Sequence, residues 1–450
     1  MKQLKLVILL SALALLPLTV AAQRTTAAES LERAVSLIRE QRTPEAEQEL
    51  NKILRKTPNE PIALNLLGTI RAQQGRLDEA EKLFSRAVAL DSHFVGAHMN
   101  LARLYLLKGA PEKTGAELKE VLRLEPNNKE ASYELARLLM SQGQIAACVS
   151  FIERLQTGQT LSPKLLTVLG EAYLALGDAD KSEESFLLAL NEDRNNAEAI
   201  LGLARVSVSR GNTKVTAAYL TRVQELVPNS PELLYGVGLT ALRAGFFDEA
   251  KSVFEKAGKL RPREPAYLIA LGAVWLKKPD LFEAEKAFRR AIELQPNSAQ
   301  GQMYLGYTLL KQKKYLEAQT LLEKSVKSGL DIPEPFYYLG LIAQEQNEDE
   351  RAVEILENLI QRFPEFANAH VALGTSYLKL KNYPRAQQEL ELAAKLKPDE
   401  SKAHYQLAIL YARLKDQTRA QEELRIVEKL KDANKTQDKG SDTPAVPNPR

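Results

Sequence analysis

PIALNLLGTIRAQQGRLDEAEKLFSRAVALDSHF, residues 61–94, reads as two amphipathic helices joined by a sharp turn. At about 100° per residue, Leu64, Leu67, Gly68 and Arg71 share one face of the first helix, while Ala80, Leu83, Phe84, Ala87 and Val88 form the facing stripe of the second. Gly75 stands between them, where glycine takes the left-handed cap conformation without a Cβ penalty. Small residues at Gly68 and Ala80 let the helix axes approach toward the lower end of the roughly 8–10 Å packing range, and Phe84 fills the groove so formed.

The same frame extends outward in both directions. From Ala27 to Asn434 a unit of 34 residues recurs twelve times with no insertion or deletion. The eighth residue of every unit is Gly or Ala, from Ala34 and Gly68 to Gly374 and Ala408. The twentieth is small, from Ala46 to Ala420, with Cys148 among them; the twenty-fourth is large and apolar, from Leu50 and Phe84 to Leu424. Pro near the unit's end stops the second helix, as at Pro58, Pro126 and Pro228, and Ser162 before Pro163 and Ser230 before Pro231 are predicted caps of the next. With 44% hydrophobic residues the chain is expected to bury one elongated core between neighbouring units rather than several globular ones.

These strings resemble the tetratricopeptide repeat family, whose 34-residue helix-turn-helix signature has Leu-Gly in the first helix, Ala at twenty, Phe at twenty-four and Pro at thirty-two. LTVLGEAYLALGDADKSEESFLLAL and LIALGAVWLKKPDLFEAEKAFRRAIELQP match it closely, and the resemblance covers 408 of 450 residues. It implies an all-α fold, a right-handed superhelical α-solenoid of twelve repeats over 27–434, and a role in binding other proteins. Exported repeat proteins of this kind suggest envelope assembly, secretion, pilus biogenesis or polysaccharide export. Some members grip a C-terminal carboxylate with Lys and Asn on successive first helices; Asn65 with Thr69, and Glu130 with Glu134, do not reproduce that clamp. The first unit has Arg33 in place of Leu, as a solvent-facing end would, and the junctions around Gly158 and Gly329 are candidate bends.

Residues 1–22 read as a secretory signal: Lys2 and Lys5, an apolar run from Leu6 to Leu16, Pro17, and Val20-Ala21-Ala22 before Gln23. Export to a periplasm or the exterior is the expectation, with cleavage and no stable membrane insertion afterwards; an uncleaved anchor is the alternative. Residues 435–450, rich in Lys, Asp, Asn and Pro, are expected to be disordered. Net charge is +3, and loss of Lys2 and Lys5 leaves +1, which disfavours nucleic acid or an anionic membrane as partner. The lone Cys148 reads as a small buried hydrophobe.

No catalytic, metal or cofactor motif stands out, and the repeats leave no segment for a catalytic domain. His98, His370 and His404 share position four, on the face that packs against the second helix. Positions two, five, nine, twelve and thirteen of each first helix are expected to line the concave groove. Position nine carries Arg103, Arg137, Glu171 and Arg205 in consecutive units; position thirteen carries Arg243, Lys277, Lys311, Glu345, Lys379 and Arg413. Position five adds Tyr133, Tyr235, Tyr337 and Tyr405, with Tyr307 at position nine. Arg103, Arg137, Arg205 and Arg243, with Lys277, Lys311 and the five tyrosines, are the candidate partner-binding residues, suited to polypeptides with acidic segments. The resulting expectation is a noncatalytic scaffold or adaptor. A holdase for exported polypeptides and a noncatalytic subunit of an envelope enzyme are the alternatives.

Overall fold

The computed structural model describes residues 25–158 and 160–435, so the expected signal and most of the expected tail lie outside the described residues. Twenty-four α-helices follow one another with no strand among the described residues, first and second helices alternating in an all-α solenoid. Helix α3 (Pro61–Gln73) and helix α4 (Leu77–Leu90) form the pair quoted above. The last helix, α24 (Gln417–Lys435), runs one residue beyond the predicted end of the array at Asn434.

Contacts divide the chain into two compact units, one ending at Val206 and one beginning at Ser207. That boundary falls inside helix α11 (Ala197–Ser209), at neither of the two irregular junctions. At those junctions the second helices end early instead: α8 (Ile145–Gln156) has 12 residues and α18 (Tyr315–Lys327) has 13, against 14 in α4.

Inside each unit one packing rule recurs. A Cβ placed on Gly170 would come within 2.6 Å of the Phe186 ring, and one on Gly272 within 2.5 Å of Phe288. All four repeats with Phe at position twenty-four (Phe84, Phe186, Phe254, Phe288) have Gly at position eight, whereas repeats with Ala there carry Leu or Ile. Bulk on the second helix is thus matched by its absence on the first, and all four rings are almost completely buried. Leu424 breaks the pattern. Predicted to fill the same groove, it is 45% exposed, since no helix among the described residues follows α24 to cover it.

The turns behave as their residues dictate. Gly75, Gly109, Gly143, Gly177, Gly211 and Gly245 all have positive φ, between 67° and 82°. Later repeats hold the same left-handed position with other residues, Lys313 at 62°, Asn347 at 60°, Lys381 at 58° and Lys415 at 64°. Ser162 and Ser230 accept from the backbone N–H of Leu165 and Leu233 at 3.4 Å, with Pro as the first helical residue in both cases. Cys148 is buried, its Sγ donating to the Ala136 carbonyl at 3.5 Å, and burial pushes the thiol up to about 11.

Candidate functional site

First helices carry the residues expected to meet a partner, and the two units equip them differently. In the unit ending at Val206, charge sits at position nine. Arg103 on α5 (Val95–Leu107) donates to Glu130 at 2.6 Å and to Asn100 at 3.3 Å. Asn100 in turn donates to Asn65 at 2.9 Å, so a polar ladder links three successive first helices. Arg205 lies 3.6 Å from Glu171 on α9 (Pro163–Ala175). Burial pushes the Glu171 carboxyl up; Arg205 and Arg137 pull the other way, while Glu198 adds to the rise. Burial and then Glu130 likewise raise Glu134.

The expected basic lane is thus partly neutralised within this unit. Two of its three arginines face carboxylates of neighbouring first helices, and only Arg137 on α7 (Lys129–Ser141) stands well exposed. Tyr133 is half-buried, with the Lys164 ammonium 5.8 Å from its ring centre.

In the unit beginning at Ser207, position nine is uncharged (Leu239, Ala273, Tyr307, Leu341, Thr375, Ile409) and cations stand one helical turn on, at Arg243, Lys277, Lys311, Lys379 and Arg413 of position thirteen. Arg243 and Lys311 are exposed; Lys277 is partly buried, and that burial lowers its ammonium's pKa. Tyr235 and Tyr307, predicted to face a ligand, are buried at 8% and 4% exposure. Tyr235 packs on Phe254 at 5.7 Å and Tyr267 at 5.6 Å, and Tyr307 packs on Tyr338 at 4.8 Å between ring centres. Lateral packing between repeats claims their area. Tyr337 is half-buried against Tyr338 and Phe366, both at 5.6 Å, while Tyr405 is 50% exposed.

The aromatic residues converge on a groove of about 380 Å³. Its walls come from four successive first helices: α17 (Ala299–Lys311), α19 (Pro333–Glu345), α21 (Ala367–Lys379) and α23 (Ser401–Arg413). Tyr307, Tyr337, Tyr338 and Tyr405 supply aromatic area, Leu341 and Val371 aliphatic area, and Lys311, Lys313 and Lys402 the cations. The Lys311 ammonium lies 5.5 Å from the Tyr307 ring centre. The Gln344 amide donates to the Ala372 carbonyl and to Ser376, both at 2.7 Å, tying two walls together. Tyr315 at the rim donates to Glu345 at 3.1 Å. Of the predicted residues the structure thus brings Tyr307, Tyr337, Tyr405 and Lys311 to one place; Arg103, Arg137, Arg205, Tyr133, Tyr235, Arg243 and Lys277 are not among its lining residues. Lys402, Gln344 and Thr375 were not singled out from sequence, although they occupy positions two, twelve and nine of the frame.

No group of three or more His, Cys, Asp or Glu placed to hold a metal occurs among the described residues, and no described helix is long and apolar enough to cross a membrane.

Sequence profiles described as tetratricopeptide repeat match residues 31–93, 235–299 and 283–335, then 106–160 and 341–408, and finally 163–196. The chain belongs to the tetratricopeptide repeat family. Tetratricopeptide repeats mediate contacts between proteins and generally serve as noncatalytic scaffolds.

Among curated proteins, this tetratricopeptide repeat chain is similar to "Cellulose synthase 1 operon protein C" of Komagataeibacter xylinus, 25% identical over 198 residues, covering 41% of this chain and 15% of that one. It also resembles "Cellulose synthase operon protein C" of Pseudomonas fluorescens (strain SBW25), 26% identical over 213 residues, covering 42% of this chain and 16% of that one. The matched stretch is thus a small part of either relative. Among solved structures, the APC/C hetero-tetramer Cut9-Hcn1 aligns at a TM-score of 0.46 and 14% identity, covering 88% of this chain and 92% of that one.

Proposed function

We propose that the protein is an exported adaptor of twelve tetratricopeptide repeats that binds an extended, acidic segment of a partner protein in the groove of α17, α19, α21 and α23. The observation that carries this reading is the groove's chemistry: tyrosines in tilted contact with one another floor it, and Lys311, Lys313 and Lys402 stand along it. Tyrosine gives contact area at small entropic cost and lysines favour carboxylates, a composition suited to protein recognition. The setting we assign is the cell envelope, in assembly or polysaccharide export. Support comes from the signal-like residues 1–22 and from the two relatives named for cellulose synthase operons. The adaptor acts without catalysis or cofactor.

A photo-crosslinking residue in place of Tyr405 tests the site in cells: one discrete adduct, lost when Lys402 is changed to Glu, is expected. Adducts to many unrelated unfolded polypeptides would favour a holdase instead. Fractionation tests the setting, since unprocessed protein confined to the cytoplasm would sink the export assignment.

A further inference from the structure

Three of the four histidines share position four of their repeats, and the structure gives all three the same surroundings. Nδ1 of His98, His370 and His404 lies 2.7, 2.6 and 2.6 Å from a carboxylate oxygen of Glu117, Glu389 and Glu423, each 19 residues on, in the second helix of the same repeat. Nε2 lies 3.2, 2.9 and 3.1 Å from the backbone carbonyl oxygen of Ser92, Pro364 and Pro398, each 6 residues back, in the turn that closes the preceding repeat.

Both partners of each ring are acceptors. A neutral imidazole has one N–H and one lone pair, so it can satisfy only one of them and sets its lone pair against the oxygen of the other. The site closes fully only when ring and carboxylate together hold one further proton. Imidazolium beside carboxylate meets that requirement with two charge-assisted hydrogen bonds.

We propose that His370 and His404 are pH-operated latches on the groove: with the imidazolium in place they fasten α21 and α23 to their neighbours, and deprotonation releases them. This rests on the groove as the binding site and names its regulation. His370 immediately precedes Val371 and Ala372, and His404 immediately precedes Tyr405, all of which line the groove. Each latch joins three segments: a first helix, its second helix (α22, Tyr383–Leu396, or α24) and the preceding turn.

The charged group facing His370 from α22 is Glu389, and the turn before α21 offers the Pro364 carbonyl. Glu423 from α24 and the Pro398 carbonyl play those parts for His404. At His98, Glu117 on α6 (Pro111–Leu124) is joined by the field of Glu120. Burial opposes the charge on His370, but the hydrogen bonds to Glu389 and Pro364 and the charge of Glu389 outweigh it, so the ring holds its proton above the ordinary histidine value. A histidine raised in this way contributes its stability in full below about pH 6.5, and loses it as pH rises through the folded-state pKa. The His370 latch therefore loosens on the alkaline side.

Hydrogen–deuterium exchange on the full chain, without any partner, tests this at about pH 6 and about pH 8.5, on either side of the histidine range. After correction for intrinsic exchange, amides of α21 to α24 should lose protection by roughly tenfold more than those of α15 (Pro265–Lys277) and α16 (Leu281–Leu294), which contain no histidine. A His370→Gln, His404→Gln double variant should lose that difference. Selective carbon-13 labelling of the four histidines gives a second readout that needs no destabilised variant: the His370 ring should titrate with a midpoint above about 6.5. Equal pH response in both helix sets, or a His370 midpoint at or below that value, overturns the latch. Partner capture plays no part in either readout, so failure here is separable from failure of the groove reading.

Discussion

The two units of this solenoid repeat the same packing and differ in what their first helices carry at the positions the packing leaves over. In both, position eight is small and position twenty-four fills the space beside it, so Gly170 under Phe186 and Gly272 under Phe288 are the same contact made twice. At position nine the first unit places Arg103, which pairs with Glu130 of the next first helix, and Glu171 and Arg205, which face each other across two more; the second places Tyr307 and Leu341 there and carries cations at position thirteen. One helical turn separates an internal ion-pair ladder from a charged rim around an aromatic floor. A repeat fold keeps its packing positions constant and varies the positions the packing leaves over.

The largest effect belongs to the shared spine. Phe186→Ala and Phe288→Ala should each destabilise their own unit by about 3–5 kcal/mol, as removal of a buried ring does. Trp275 is the only tryptophan, so its fluorescence follows the second unit while far-ultraviolet circular dichroism follows both. Urea melts should show Phe288→Ala shifting the fluorescence transition and Phe186→Ala shifting circular dichroism alone. Equal shifts in both signals from both variants would erase the division into units.

Groove chemistry comes next. Tyr405→Ala with Lys402→Glu should weaken partner binding by roughly tenfold or more, the scale of losing a contact residue and reversing a charge. Arg103→Ala should leave binding unchanged and cost about 1 kcal/mol of stability in the first unit, its partner Glu130 being half-exposed to screening water. Thermal melts and a binding titration on the same two variants separate the roles.

The turns distinguish the units by a smaller amount. Gly143→Ala in the first unit should cost about 1 kcal/mol, and Lys381→Gly in the second should gain about as much, because only glycine occupies the left-handed region freely. Denaturation midpoints moving in the same direction would refute the turn argument.

Smallest is the acid response of Glu171. Its carboxyl is raised in the folded state, so its ionised form works against folding above the folded pKa and costs nothing below about pH 4.3, where folded and unfolded forms are both protonated. Glu171→Gln should therefore stabilise the first unit at neutral pH by under about 1 kcal/mol, a gain that disappears on acidification. A gain that persists or grows toward low pH would reverse the sign of the argument.

The spine was legible from residues alone, because Gly68, Ala80 and Phe84 state both their period and their sizes. The sharp turns were equally plain where Gly75 and its equivalents marked them, and hidden where Lys313 or Lys381 takes the same conformation. The groove was legible only as a set of positions. Tyr235 and Tyr405 occupy the same position of the frame, yet one is buried by Phe254 and Tyr267 and the other stands half-exposed. What decides between them is the bulk of residues on adjacent repeats. The pairing of Arg103 with Glu130 escaped for the same reason, since 27 residues separate partners that face each other across first helices.

The central claim is that recognition belongs to the aromatic groove of the second unit and not to the arginine ladder of the first. Photo-crosslinkers placed at Tyr405, at Arg137 and, as a control on a second helix, at Leu188 compare the two in one experiment. A discrete adduct from Tyr405 alone, abolished by Lys402→Glu, is the predicted result. Adducts of equal yield from Arg137 or Leu188, or an adduct from Tyr405 indifferent to Lys402→Glu, would contradict it.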